Sequence, residues 1–412
     1  MSKQGDEVKS WRLSDAYAVP GFRVLQRVDS HEFDRRIFVL TLAHRPKKAA
    51  RCGGCGKRTD RIYDKRWRRV RDLGCGDREV YLDFEMRRVK CKTCGVKNER
   101  LAFLSDNTKY TLRFAMQIGG LCRAMTVKDV SRHMRLDWHT VKELGKIYMR
   151  EQLRLAGPPR PEVIGVDEIS IRKGHTYRIV VSDLEKKRAI WFGGEGRTQA
   201  DMDRFYAHLG KENAEKIRLA IMDMWKPFRK SAQHHAPQAA IVFDKFHILR
   251  HLSEALDGVR RAEYKRVTGD ERTFIKGQRY VLLSRRENLS DGGRQNLERL
   301  LKANARLNVA YLLREQFEQL WSYADPADAR AFFDNWQQQL QGQDLAPYEK
   351  FARMIERHWD GIASYCKPEN KVALGFVEGF NNKIRVIQRR AFGLRDEEYL
   401  ALKIRTLGLP EL

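Results

Sequence analysis

Two short apolar runs, each ending in an aspartate, constrain this chain most. Val163–Ser170 reads VIGVDEIS and carries Asp167, and the run Arg218–Met222 is followed by Asp223. Runs of this length, rich in β-branched residues, read as buried strands, and a carboxylate at such a strand's end points to chemistry. Far downstream, FVEGFNNKIR carries Glu378 on an expected helix. Three carboxylates on three elements point to one metal site. Glu168 follows Asp167 but turns to the opposite strand face, which makes it a neighbour of the site rather than a ligand. Asp183, in SDLEKK, reads as a turn residue.

The elements around these acids follow an order. Strands are expected over 163–171, 177–183 and 189–192, a helix over 199–209, and a strand over 218–223. A helix from Lys226 and a strand over 239–244 complete the set. This β-β-β-α-β-α-β order is that of the ribonuclease H-like α/β fold, whose first and fourth strands lie side by side and would bring Asp167 and Asp223 together. The third acid must then arrive on a helix. At 100° per residue, Asn381, Asn382, Arg385 and Arg389 share Glu378's side, opposite Phe380, Ile384 and Ile387. The amides and arginines suit a phosphodiester beside a metal. Between Asp244 and Glu378 helical periodicity dominates, as in Leu313, Phe317, Leu320 and Trp321, with Asp325-Pro326 as a helix start. That makes residues 251–370 an α-helical insertion. Its Arg260, Arg261, Lys265 and Arg266 either meet DNA or lie on a solvated surface.

Charge identifies the partner class. The 412 residues include 80 Lys and Arg against 54 Asp and Glu, a formal net charge of +26 spread along the chain. A polyanion is expected, nucleic acid ahead of an acidic membrane surface. No apolar run reaches spanning length, so no membrane partner and a cytoplasmic location are expected. Of seven cysteines, Cys52, Cys55, Cys91 and Cys94 form two CxxCG knuckles, the spacing of a four-sulfur zinc ribbon. Four thiolates leave zinc no open position, so the site is expected to be structural. Cys75, Cys122 and Cys366 read as packing residues.

Two basic stretches accompany the ribbon. RIYDKRWRRVRD interleaves Arg66, Arg68, Arg69 and Arg71 with Tyr63 and Trp67, a composition suited to DNA contact or, more plainly, to a solvated strand face. Val127, Val130 and Met134 share a helix face, RLDW interrupts, and a second helix from His139 carries Val141, Leu144 and Tyr148. This is a helix-turn-helix pattern, with Lys142, Lys146 and Arg150 off the apolar stripe and expected to face a major groove. A hairpin from 22–28 and 36–42 precedes the ribbon, and GPPRP at 157–161 reads as a linker. The expected domains are 1–105 (hairpin and ribbon), 106–156 (helix-turn-helix), 162–250 (catalytic core), 251–370 (insertion) and 371–412 (the core's closing part).

GVDE at 165–168, MDMWKPF at 222–228, IVFDKFH at 241–247 and FVEGFNNKIRVIQRRAFGLRD at 376–396 together resemble the transposases of ISL3-type bacterial insertion sequences. The resemblance implies a DDE triad of Asp167, Asp223 and Glu378 holding magnesium or manganese, with Asp244 and His247 of a DxxH beside it. His247 stands open between orienting a phosphate or triad member and being a core histidine. The implied partners are double-stranded DNA, as terminal inverted repeats and target, and further copies of the chain in a dimer or larger assembly at the nucleoid. One departure is LGFVEGF where NGxVEGxN is the expected form, with Leu374 in place of an asparagine. A DNA-binding regulator descended from such an enzyme is the rival reading. A plain ribonuclease H-like nuclease is less suited, having no need of two DNA-reading modules.

Overall fold

The computed structural model describes residues 16–30, 34–46, 49–172, 176–372, 375–391 and 395–412. Leu374, the departure noted above, lies outside them. The chain forms two compact units, Met1–Gly157 with Arg390–Leu412, and Pro158–Arg389. The stretch 371–412, expected as one closing part of the core, therefore divides at Arg390.

The first unit begins with β1 (Phe22–Ser30) and β2 (Ile37–His44), then the short pair β3 (Ala50–Arg51) and β4 (Arg58–Thr59). The long hairpin of β5 (Ile62–Cys75) and β6 (Arg78–Cys91) follows, with β7 (Gly95–Asn98) on its end. The sheet order is β1-β2-β6-β5, with β7 on β6. Strand alternation explains its core: Val80, Leu82, Phe84 and Met86 of β6 face inward at every second position, against Phe22, Leu40, Leu42 and Val70.

Three helices follow, α1 (Leu112–Ala124), α2 (Val127–Met134) and α3 (Trp138–Ala156). Thr111, Thr126 and Asp137 cap them with side-chain oxygens. Arg135 makes the turn between α2 and α3 in the left-handed region, at φ 51°. Phe114, Ile118, Val130, Val141 and Leu144 form the core of the helix-turn-helix. α1 and α3 touch at Gly119, where a Cβ would lie 2.0 Å from that of Tyr148.

The second unit is built on β8 (Val163–Arg172), β9 (Thr176–Asp183) and β10 (Arg188–Gly193), followed by α4 (Gln199–Leu209) and α5 (Lys211–Ala214). Next come β11 (Leu219–Met222), α6 (Lys226–His235) and β12 (Ala240–Phe243). The sheet order is β10-β9-β8-β11-β12. The first three strands form an antiparallel meander, and β11 and β12 run parallel to β8. The first and fourth strands are neighbours.

A helical block follows: α7 (Lys245–Arg266), α8 (Gly269–Gly277), α9 (Arg279–Leu283), α10 (Asp291–Ala303), α11 (Ala305–Phe317), α12 (Pro326–Leu340), α13 (Ala346–Arg357) and α14 (Trp359–Cys366). Asp325 caps α12, with Pro326 in its first turn. Phe317, Phe333, Trp336, Tyr348 and Phe351 form its centre, and one apolar cluster joins them to one face of the sheet. The other face receives α15 (Gly375–Arg390), whose Val377 packs with Val163, Leu219, Ile221 and Val242. Gly165 makes room for it: a Cβ there would lie 2.8 Å from Val377 Cγ2. The last helix, α16 (Glu397–Thr406), belongs to the first unit and packs Tyr399 and Leu402 against Tyr148 and Met149 of α3.

Candidate active site

Strand register builds the site. β8 and β11 pair Gly165 with Ile221, and two residues further Asp167 stands level with Asp223. β11 and β12 pair Met222 with Phe243, so the next step sets Asp223 level with Asp244. The Asp244 amide donates to the Met222 carbonyl at 2.9 Å, which fixes that step. Three aspartates thus form a row across three adjacent parallel strands, Asp167 midway along β8 and Asp223 and Asp244 directly after β11 and β12. The third was visible in the sequence as the end of IVFD, although the strand count alone did not rank it with the other two.

Each carboxylate is held by short-range contacts. Asp167 accepts the Glu168 amide at 2.7 Å through Oδ1 and the Asn381 side-chain amide through Oδ2. Asp223 accepts the Met224 amide at 2.6 Å, and its Oδ2 lies 2.9 Å from His247 Nδ1. That last contact is an ion pair when His247 is protonated. Asp244 caps α7 by accepting the Phe246 amide at 2.9 Å, which aims His247, one turn into the helix, back at Asp223. The His247 ring thus faces a carboxylate of the row.

Burial and mutual repulsion set the protonation of the row. Burial raises the Asp167 pKa, and burial with Asp167 and Asp223 nearby pushes Asp244 up to about 6. Asp223 is also buried, but the His247 contact outweighs this and holds its pKa low. The same contact raises that of His247. Among the described residues, no lysine or arginine pairs with any of the three. Hard carboxylate oxygens in a row with surplus negative charge suit a divalent cation such as magnesium.

Glu378 lies in the first turn of α15 and lines the same cavity of about 520 Å³ as Asp167, Asp244 and His247. The helical block closes the far wall with Arg250, Arg285, Asn288 and Arg314, and Arg385 joins from α15. The insertion thus contributes cations to the site itself. Among the described residues, the one group of three or more whose metal-ligand atoms lie within 4.8 Å of one another is Cys52, Cys55, Cys91 and Cys94, so Asp167, Asp244 and Glu378 share a cavity without closing to that distance. Asn381, one turn on, is the α15 residue that meets Asp167. Glu168 turns away as alternation requires, and its Oε1 accepts Arg197 at 2.5 Å. Asp183 accepts the amides of Glu185 and Lys186, as a turn residue does.

The ribbon forms as the spacing predicts. Cys55 and Cys91 sulfurs lie 3.6 Å apart, against about 3.8 Å for two sulfurs on one tetrahedral zinc. Gly56 and Gly95 adopt φ of 72° and 71°, the left-handed turn each knuckle needs. The amides of Cys94 and Thr93 pull the Cys91 thiol down to about 6.

Two expected basic faces are rearranged. Register separates the β5 arginines: Arg66 and Arg68 pair across from Met86 and Phe84, whereas Arg69 pairs with Asp83 on the other face. Arg69 is held there by a bidentate contact at 2.8 and 2.7 Å. On α3 the expected groove-facing cations turn inward to α16. Lys142 meets Asp396 at 2.8 Å, Lys146 meets Asp396 at 3.1 Å and Glu398 at 2.8 Å, and Arg150 meets Glu398 at 2.5 Å. Lys146 is only 6% exposed. A cation every fourth residue marks a helix face but does not say what covers it. Arg389 is exposed, and Arg385 also reaches Asn382 at 3.1 Å.

A four-thiol ribbon, a helix-turn-helix and an α/β unit with a carboxylate row are together the parts of an enzyme that works on DNA. The chain belongs to the ISL3 family of insertion-sequence transposases. Residues 164–404 match that family's transposase model, and 48–94 match the zinc finger of the transposases of IS204, IS1001, IS1096 and IS1165. Residues 99–144 match the helix-turn-helix domain of transposase family ISL3. The chain is 35% identical over 362 residues to the transposase for insertion sequence element IS1001 of Bordetella parapertussis, covering 87% of this chain and 88% of that protein. It is 28% identical to the transposase for IS1557 of Mycobacterium tuberculosis (strain ATCC 25618 / H37Rv), over 93% of this chain and 92% of that protein.

Proposed function

We propose that the chain cuts DNA at the ends of its insertion sequence and joins the freed ends to target DNA, using a ribonuclease H-like unit. The observation that carries this is the row of carboxylates set in register by β8, β11 and β12. Asp167 and Asp223 would hold magnesium or manganese, with Glu378 completing the set from α15. A divalent cation there supplies charge neutralisation at the attacking and leaving oxygens. In the first step water attacks phosphorus, gives up a proton and breaks the P–O3′ bond, leaving a 3′-hydroxyl and a 5′-phosphate. In the second, that 3′-hydroxyl attacks a target phosphodiester and displaces its 3′-oxygen, so one phosphodiester forms as another breaks. His247 and Asp244 keep Asp223 aimed, and Arg250, Arg285 and Arg385 take the flanking phosphates.

Reading of the terminal repeats falls to the start of α3 and not to the cations clamped by α16. Trp138 and His139 are exposed and stacked at 3.5 Å, and Arg132 and His133 at the end of α2 are exposed as well. The first turn of a recognition helix is where base edges are met. Arg66 and Arg68 on the ribbon hairpin add phosphate contacts. The test is a labelled duplex of the element's end, incubated with magnesium: wild type cuts and joins it, and Asp223→Asn binds it without cutting. Wild-type cutting by Asp223→Asn would remove the row from the active site.

A further inference from the structure

A stack of aromatic rings and a cation is tied to Glu168, which feels the charges of Asp167 and Asp223, and has no part in the chemistry just described. The Arg197 guanidinium lies 4.5 Å from the Tyr177 ring centroid and 4.9 Å from that of Trp225. Glu168 fixes it at 2.5 Å, and the Trp225 indole N–H donates to the Arg197 carbonyl at 2.7 Å. Glu168 directly follows Asp167, and Trp225 lies two residues past Asp223. The stack is therefore anchored at both ends to the segments that carry the two aspartates.

Trp225 is costly for the fold. It occupies the N-cap of α6 without supplying a cap hydrogen bond, where Ser, Thr or Asp would. Trp225 is 40% exposed, so part of its apolar surface gains nothing from burial. A large ring held rigid and left open beside a phosphodiester-cutting site offers a flat π-face. Paired bases inside a duplex have both faces covered, so such a seat is complemented by a base that has left the stack. Glu168 uses one of the five N–H donors of Arg197, leaving others for the phosphate beside that base.

We propose that the Arg197–Trp225 stack seats one unpaired nucleobase of the strand being cut, holding it out of the duplex while its neighbouring phosphodiester lies on Asp167 and Asp223. The proposal rests on the strand-cutting reading above. The seat would let the backbone bend into the cavity lined by Asp167 and Asp244, and it would favour duplex ends that unpair easily.

The experiment uses the full chain and element-end duplexes carrying 2-aminopurine at successive positions around the cut. Binding by the non-cutting Asp223→Asn variant should change the fluorescence severalfold at one or two positions. Adding Trp225→Ala should abolish that change, and Trp225→Phe, which keeps a ring, should retain part of it. In otherwise wild-type protein, Trp225→Ala should slow cutting on the order of tenfold to a hundredfold. An abasic nucleotide at the responding position should restore the rate, because no base then has to be unstacked. Fluorescence that never changes, a change indifferent to Trp225, or a cutting defect that the abasic duplex leaves in place would overturn the seat. If wild type binds with the fluorescence change but does not cut, the strand-cutting reading fails while the base seat stands.

Discussion

The two units each gather like charges, and the gatherings end differently. On α3, Lys142, Lys146 and Arg150 are matched by Asp396 and Glu398 of the same chain, and Lys146 is buried by the match. On β8 and just past β11 and β12, three aspartates are held by amides and one histidine, with no lysine or arginine paired to them among the described residues. Like charges cost folding free energy wherever they gather. A cluster that the chain neutralises is architecture. One that it orders and leaves charged is poised for something that arrives from outside.

The ribbon sharpens that contrast, because its four thiols need a cation that is structural and not catalytic. Among the described residues, its local core is Ala50, Cys52, Val89 and Cys91, with Cys94 packed against it. So small a core cannot hold the fold, and zinc at such sites contributes on the order of 10 kcal/mol. A strong chelator should release one zinc per chain and strip amide-exchange protection from 50–59 and 91–98 while the catalytic unit stays protected. Protection that survived zinc loss would place the ribbon's stability in its packing.

Next in size is the row. Asp167→Asn should reduce strand cutting by more than about a hundredfold, the scale of losing a metal-holding charge. Its melting temperature should hold or rise, since burial raises the Asp167 pKa and so makes its charged form cost folding free energy that an amide does not. A large fall in melting temperature would make the carboxylate a structural group like those on α16.

For the α3 cations the expectation reverses. Lys146→Ala leaves Asp396 and Glu398 facing an emptied, largely buried position, and should cost about 1–3 kcal/mol of first-unit stability. Lys146→Met, which refills the space, should cost less. Duplex binding should weaken only as far as unfolding explains, with its salt dependence unchanged. Normal stability with a shallower salt slope would return Lys146 to the DNA-reading surface.

Much of this was legible in the sequence, and the rest has physical reasons for being hidden. The strand ranges around Asp167, Asp223 and Asp244 follow from β-branched runs that end in acids, and both CxxCG knuckles from spacing alone. Periodicity locates a face without its covering. It put Lys146 off the apolar stripe, yet its partner Glu398 is contributed by the C-terminal helix. It likewise put Asn381 on Glu378's side, but helical phase does not show that Asn381 is the residue that reaches Asp167. Arg66, Arg68 and Arg69 could have been separated in advance, since strand alternation sends Arg69 to the opposite face from the other two.

The smallest effect tests whether the clamp on α3 is electrostatic at all. Lys146 and Arg150 lower the pKa of Glu398 by hydrogen bonding to its carboxylate. Burial would raise the pKa of Asp396, but Lys142, the Tyr399 amide and Lys146 lower it further than burial lifts it. Depressed carboxylates add stability that is present above their unfolded values, near pH 4, and lost as the pH falls toward the folded ones. Burial works against the charge on Lys146, yet its bonds to Glu398 and Asp396 raise it to about 12, so its share fades only as the pH climbs from about 10 toward that value. Glu398 is 53% exposed, and solvent screening keeps its contribution under about 1 kcal/mol. Glu398→Gln should therefore melt slightly below wild type at pH 7, with the gap closing below about pH 4 and narrowing in 1 M salt. A gap that persists through acid and salt would mean that α16 docks on α3 through Tyr399 and Leu402 packing, with the ion pairs incidental.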